Sequence, residues 1–242
     1  MNLIIDIGNS LVKLAVFNHD ELVFKVLVER SGFVDTLETV KRDYPDIKNA
    51  IVSSVATLDD DQVAKLEADF KILKLDHHTS LPFINAYKTP KTLGMDRLGL
   101  VSAAVFHYPN TNVLIIDAGT CITYDCITAQ NSYVGGAISP GIRMRYKALN
   151  AFTANLPLLD TEMPDNLTGD TTKAAIHAGV IYGVLNEIDG VIETYRQKYA
   201  NLTVILTGGD AKFLSKQLKS SIFANSNFLL EGLNYILQFN SF

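Results

Sequence analysis

Cysteine is scarce in this 242-residue chain: Cys121 and Cys126 are the only two, and their spacing is not C-x-x-C. That leaves neither a disulfide scaffold nor a zinc ribbon and makes a reducing cytoplasm the expected compartment. No run of Lys and Arg occurs, and the formal net charge is −5. Nucleic acid and anionic membrane are therefore not expected as main partners. No stretch of about 18 apolar residues stands out, and Asp6 with Gly8 breaks any signal-peptide pattern at the start. The five histidines show no H-x-x-x-H spacing and read as structural or surface residues. Two common nucleotide signatures are also missing. There is no G-x-x-x-x-G-K-[ST] and no G-x-G-x-x-G after a strand, which excludes a P-loop enzyme and a simple dinucleotide fold.

What is present is ordinary globular material, with 48% hydrophobic and 19% charged residues. At roughly 100–200 residues per domain, the length fits one large domain or two small ones. An internal echo decides for two. Leu3-Ile4-Ile5-Asp6-Ile7-Gly8-Asn9-Ser10 and Leu114-Ile115-Ile116-Asp117-Ala118-Gly119-Thr120 are both apolar runs ending in Asp-x-Gly and a polar residue. Each is followed by an alternating second run, the pattern of a β-hairpin. A repeat of 111 residues, from Asp6 to Asp117, is too long for a solenoid and fits two domains of like topology. We place them at 1–112 and 113–242.

Further strands are expected at Ile47–Val55, Lys71–Leu75 and Leu202–Leu206. Helices are expected at Val34–Tyr44, Asp59–Phe70, Leu98–His107, Ile142–Leu149, Thr171–Tyr199, after the Thr207-Gly208-Gly209-Asp210 turn to about Leu218, and at Phe228–Phe239. Strands alternating with helices give an α/β class. The segment Gly135-Gly136-Ala137-Ile138-Ser139-Pro140-Gly141 has too many small residues for an ordinary strand and suggests close backbone approach to substrate or to another subunit.

A phosphate chain needs backbone N–H donors at close range, which glycine permits, and a bridging Mg²⁺ needs carboxylates nearby. Both Asp-x-Gly turns supply this set, and Lys13 can add a compensating cation. A third turn, Gly208-Gly209, precedes a helix. Taken one at a time, such turns are more often plain hairpins.

The paired hairpins and the late Gly-Gly turn resemble the acetate/sugar kinase, heat-shock chaperone and actin superfamily. The resemblance implies two ribonuclease-H-like domains with a nucleotide cleft between them. Gly94-Met95-Asp96-Arg97, the GGAISPG segment and Thr171-Thr172 narrow it to type III pantothenate kinase, over residues 3 to about 210. That resemblance implies phosphorylation of pantothenate by ATP, with Mg²⁺ and a monovalent cation, potassium or ammonium, in a cytoplasmic homodimer.

It also assigns residues. Asp96 is the general base, Arg97 a partner for an oxyanion, and Tyr87, Gly94, Met95 and Thr172 complete the pantothenate site. Asp6, Ile7, Gly8, Asn9, Ser10, Leu11, Val12 and Lys13 bind ATP with Thr120, and Asp117 holds the monovalent cation. Read without the resemblance, Asp96 caps the helix from Leu98, Arg97 makes a surface or helix-start salt bridge, Tyr87 packs, Asp117 closes an Asx-turn, and Asp170 or Thr171 competes with Thr172 as a helix cap. Ser10 stands where the family usually has threonine, and Met95 where a smaller residue is common. The alternatives are a sugar or N-acetylhexosamine kinase of the same superfamily and a non-enzymatic regulatory relative. An actin-like polymer-forming ATPase ranks last, since the chain is short for its extra subdomains.

Overall fold

A computed structural model describes residues 1–8, 11–54 and 66–241. In chain order, strands β1 (Asn2–Ile7), β2 (Leu11–Asn18) and β3 (Glu21–Glu29) precede helix α1 (Phe33–Asp43). Strands β4 (Asn49–Ser54), β5 (Lys71–Lys74) and β6 (Ile84–Asn85) lead to α2 (Met95–His107). Then come β7 (Val113–Ala118), β8 (Cys121–Ile127), β9 (Ser132–Pro140), α3 (Ile142–Ala151) and α4 (Thr172–Lys198). The chain closes with β10 (Thr203–Thr207), α5 (Ala211–Leu214), β11 (Phe223–Ala224) and α6 (Phe228–Asn240). Val55 and most of the helix expected from Asp59 lie outside the described residues; its last turn, 66–69, is helical.

Two compact units form. The first holds residues 1–109, 131–133 and 227–242, and the second holds 110–130 and 134–226. Residues 131–133 and 227–242, beyond the expected cut after 112, thus group with the first unit.

In the first unit the strand order is β3-β2-β1-β4-β5. β1 runs antiparallel to β2 and parallel to β4. Leu3, Ile4, Ile5 and Ile7 of β1 are all buried, as a central strand covered on both faces requires. One cover is α1, whose Phe33, Leu37 and Val40 recur at spacings of four and three and enter the core with Leu3, Ile5 and Ile7. α6 packs against β1 and β4, and against α2. β3 alternates half-buried and exposed residues along its length, so one of its faces meets solvent.

α2 is buried almost all round, from Arg97 to Val105. It approaches α6 through two glycines. A Cβ on Gly232 would lie 1.8 Å from the Gly99 carbonyl oxygen, and one on Gly99 would meet Leu229 Cδ1 at 2.7 Å.

The second unit repeats the same plan. Its sheet runs β9-β8-β7-β10-β11, with β7 antiparallel to β8 and parallel to β10. Ile181, Val184, Ile188 and Ile192 of α4 pack with Leu114 and Ile116. α4 is more apolar than the sequence reading allowed. Its most apolar 18-residue window reaches a mean hydropathy of 1.2, enough by length and composition to cross a membrane, and half of that window is buried in the fold.

Two expectations are corrected here. The glycine-rich segment is a strand after all, because β9 runs through Gly135, Gly136 and Pro140. Gly135 takes φ +99°, and a Cβ on Gly136 would fall 1.5 Å from the Tyr124 carbonyl oxygen. The close approach is therefore to the chain's own β8. The helix after Asp210 is one turn, Ala211–Leu214, rather than a run to Leu218.

Candidate active site

The first Asp-x-Gly turn joins β1 to β2. Asp6 pairs across the hairpin with Lys13, whose Nζ lies 3.0 Å from its carboxylate. Asp6 is 7% exposed, so its charge is held close to Lys13 with little water between. The Gly8 N–H donates to the Leu11 carbonyl at 3.0 Å, closing the turn. Ile7 and Val12 turn their side chains into the core, leaving only their main chain for a ligand, while Leu11 is exposed. Asn9 and Ser10 lie outside the described residues. Arg30 adds a second cation, donating to the Gly8 carbonyl at 3.3 Å. It arrives through the pairing of Leu11 with Glu29, a register that short-range sequence patterns do not reveal.

The second turn ends β7 and is gripped by main chain from two other segments. The Gly141 N–H donates to the Thr120 carbonyl at 3.1 Å, and the Asp210 N–H to the Ala118 carbonyl at 3.0 Å. Gly208 has φ +93°, and a Cβ there would lie 2.4 Å from Asp117 Oδ1. Glycine is needed on both counts: backbone conformation, and a contact with the carboxylate too close to admit a side chain. Thr120 is exposed and Asp117 half-buried.

Asp210 is a candidate that the sequence reading placed in the Gly-Gly turn without a role. Burial pushes its carboxyl above the usual carboxylate range. A raised folded-state value means that neutral pH imposes a cost absent in acid. Asp210→Asn should therefore raise the thermal midpoint at pH 7, with the gain disappearing as the pH falls below the unfolded-state value near 3.9. Thermal scans at pH 3.5 and pH 7 check this.

The third cluster lies at the start of α2. Gly94 is its N-cap, with extended backbone, and Asp96 sits in the first helical turn. Asp96 is therefore not the cap of a helix beginning at Leu98; the helix starts three residues earlier. Its Oδ1 accepts the Arg97 N–H at 2.8 Å, and a Cβ on Gly94 would lie 2.4 Å from that same oxygen. Gly94 thus clears the space the carboxylate occupies, and the helix N-terminus favours its negative charge. Met95 is half-buried beside it.

Arg97 is only 5% exposed, which overturns the surface salt-bridge reading. Its guanidinium carbon lies 5.6 Å from the Tyr87 ring centre and 5.9 Å from that of Tyr133. The two rings stack with centroids 6.0 Å apart. Tyr133 was not legible as a site residue. It arrives because Asn85 of β6 pairs with it in parallel.

Thr171, not Thr172, caps α4, accepting the Ala174 N–H at 3.1 Å. Thr172 is exposed on the rim of an apolar groove of about 840 Å³ between α3 and α4. Cys126 is buried, its thiol pushed up to about 11 by burial, and Cys121 is half-buried. Cys126 therefore lacks the environment of a reactive thiolate. Among the described residues no three His, Cys, Asp or Glu side chains gather as a metal site.

Two like sheets, each ending its first strand in a buried or half-buried Asp ahead of a glycine turn, define a class: the actin-like ATPase and sugar kinase fold. Solved structures agree on that fold. A glucokinase from an Antarctic psychrotroph matches with TM-score 0.56 at 12% identity, over 99% of each chain. A chain from Campylobacter jejuni that bears the label of a Baf family transcriptional activator matches with TM-score 0.66 at 21% identity, over 98% of each. Within this class the chain belongs to the type III pantothenate kinase family, whose model matches residues 2–194. A type III pantothenate kinase of Christiangramia forsetii is 51% identical to it over 240 residues, 99% of both chains.

Proposed function

We propose that this chain transfers the γ-phosphoryl group of ATP to the primary hydroxyl of pantothenate, the first step towards coenzyme A. The observation that carries the chemistry is the Asp96 carboxylate at the head of α2, adjoining a buried Arg97. As the hydroxyl oxygen bonds to the γ-phosphorus, its proton passes to Asp96 and the bond to the β–γ bridging oxygen breaks, releasing ADP. Positioning and charge neutralisation supply most of the catalysis in such reactions. Arg97 offers its forked donors to an oxyanion, with Tyr87 and Tyr133 fixing its plane. Tyr87, Gly94 and Met95 join Asp96 and Arg97 as pantothenate contacts, and Thr172 is assigned to pantothenate by the family resemblance alone.

The first turn, Asp6 to Lys13, and Thr120 take the nucleotide phosphates. Asp6 is the acid for Mg²⁺, which keeps most of its water. Asp117 is the acid for the monovalent cation, its carboxylate held close against the Gly208 main chain. Bound, these ions offset phosphate charge that no P-loop lysine covers. Rates in potassium or ammonium should exceed those in sodium by at least about tenfold. Equal initial rates in the three chlorides would remove Asp117 from this role.

The homodimer follows from the same family reading, and the α3–α4 groove is its proposed seam. Phe152 on its rim is 88% exposed, and nothing lies within 4 Å of a Cβ built on Gly179. Phe152→Glu should shift the light-scattering mass from a dimer to the 26.6 kDa monomer. A wild-type monomer would refute the seam. The reading places the chain in the cytoplasm, with its ATP.

An ADP-release assay with pantothenate, glucose, N-acetylglucosamine or no acceptor tests the activity. Turnover with pantothenate alone is expected. Turnover with a sugar, or with none of them, overturns the proposal.

A further inference from the structure

The second turn is gripped by main chain, and Gly141 is the residue that touches Thr120. A Cβ on Gly141 would lie 2.1 Å from the Gly119 carbonyl oxygen and 2.5 Å from that of Thr120. The contact is therefore as close as two backbones allow, and any shift of residues 139–141 moves Thr120 with it.

Those residues are tied down by one side chain. Arg145, one turn into α3, donates through Nε to the Pro140 carbonyl at 2.9 Å and through Nη2 to Ser139 Oγ at 3.0 Å. The same Nη2 meets Glu187 of α4 at 2.5 Å. Glu187 in turn accepts the Tyr124 hydroxyl at 2.8 Å. Tyr124 is 1% exposed and lies on β8, the strand that leaves the turn. The network thus runs from the end of β9, next to the residue that touches Thr120, to β8, the strand that leaves the turn, and α4 supplies the acid in the middle.

Its charge state suits that task. Burial pushes the Glu187 carboxyl up, but hydrogen bonds from Arg145, Ser139 and Tyr124 outweigh it and hold the group below the ordinary range. Glu187 is ionised at neutral pH and Arg145 is always charged, so the clamp is an ion pair with directional bonds. Arginine is required, because a lysine ammonium cannot present the planar fork that reaches Pro140, Ser139 and Glu187 together.

We infer that Arg145 and Glu187 are positioning residues for the nucleotide-phosphate turn, holding Thr120 in place through Pro140 and Gly141. The inference rests on the reading of Thr120 as an ATP contact. A plain staple between α3 and α4 would make a different prediction, since losing it would loosen the two helices and leave the turn alone.

Two measurements on the full-length enzyme separate these. The first is amide hydrogen exchange, which needs no assumption about activity. Arg145→Met should speed exchange at 119–121 and 139–142 by at least about tenfold over wild type, with the core strands unchanged. The second is steady-state kinetics. Arg145→Met should raise KM for ATP by about tenfold, a step of one hydrogen bond to a charged group, while KM for pantothenate stays near wild type. Arg145→Lys and Glu187→Gln should fall between, since each keeps part of the network. Unchanged exchange at the turn, or equal rises in KM for both substrates, overturns the inference. Faster exchange at the turn in a protein whose wild type does not phosphorylate pantothenate leaves the clamp standing and removes the kinase reading instead.

Discussion

Asp96→Asn yields a folded enzyme whose kcat for pantothenate phosphorylation drops by about 10²–10⁴-fold, the span that a positioned general base supplies. Asparagine keeps the shape and can still accept the Arg97 N–H that Asp96 Oδ1 accepts at 2.8 Å. What it loses is the capacity to take a proton. Loss of charge near the helix N-terminus costs about 0.3–1 kcal/mol, so the thermal midpoint should fall by no more than about 4 °C. Both substrates should still bind, because the substitution leaves Arg97 and its two tyrosines in place. Single-turnover kinetics and a thermal scan on the same preparation give both numbers. A variant with near wild-type kcat removes Asp96 as the base.

Gly232→Ala destabilises the first unit more than any other single methyl considered. In a helix interior alanine is better than glycine by about 1 kcal/mol, so propensity alone favours the change. Packing opposes it. The new Cβ would lie 1.8 Å from the Gly99 carbonyl oxygen and 2.9 Å from the Ala103 nitrogen, both main-chain atoms of α2. Main chain cannot rotate away, so α2 and α6 must separate, and overpacking of this kind costs about 3 kcal/mol or more. The clash wins. Net of the propensity gain about 2 kcal/mol is lost, so the midpoint should drop by roughly 4–8 °C, and activity should fall with it, because α2 carries Asp96 and Arg97 at its head. Gly99→Ala is the control. Its Cβ meets the Leu229 and Leu233 side chains, which can move, so its loss should be smaller. Equal midpoints for Gly232→Ala and wild type would contradict the close helix contact.

That contact shows where the sequence stopped being informative. The apolar spacing from Phe228 to Phe239 is enough to mark a helix, but nothing along the chain says that Gly232 must fit against Gly99. The duplicated Asp-x-Gly hairpins were legible because each is local: an apolar run, an acid, a glycine and a second run within about fifteen residues. Gly94-Met95-Asp96-Arg97 was legible for the same reason. Tyr133, Arg30 and the Gly141 and Gly208 grips on the second turn depend on strand pairing between distant segments, and no spacing rule announces them. The glycine-rich segment before α3 was misjudged for a related cause. Small residues signal close approach, but only the sheet reveals that the neighbour is the Tyr124 main chain.

Phosphoryl transfer to pantothenate can be followed with labelled ATP. ATP labelled in its γ-phosphate is incubated with the chain, magnesium, potassium and pantothenate, and the products are separated. Labelled phosphopantothenate is expected in equal amount to ADP, and Asp96→Asn should form it about 10²–10⁴-fold more slowly. Label released only as inorganic phosphate, or ADP formed at the same rate without pantothenate, would contradict the transfer.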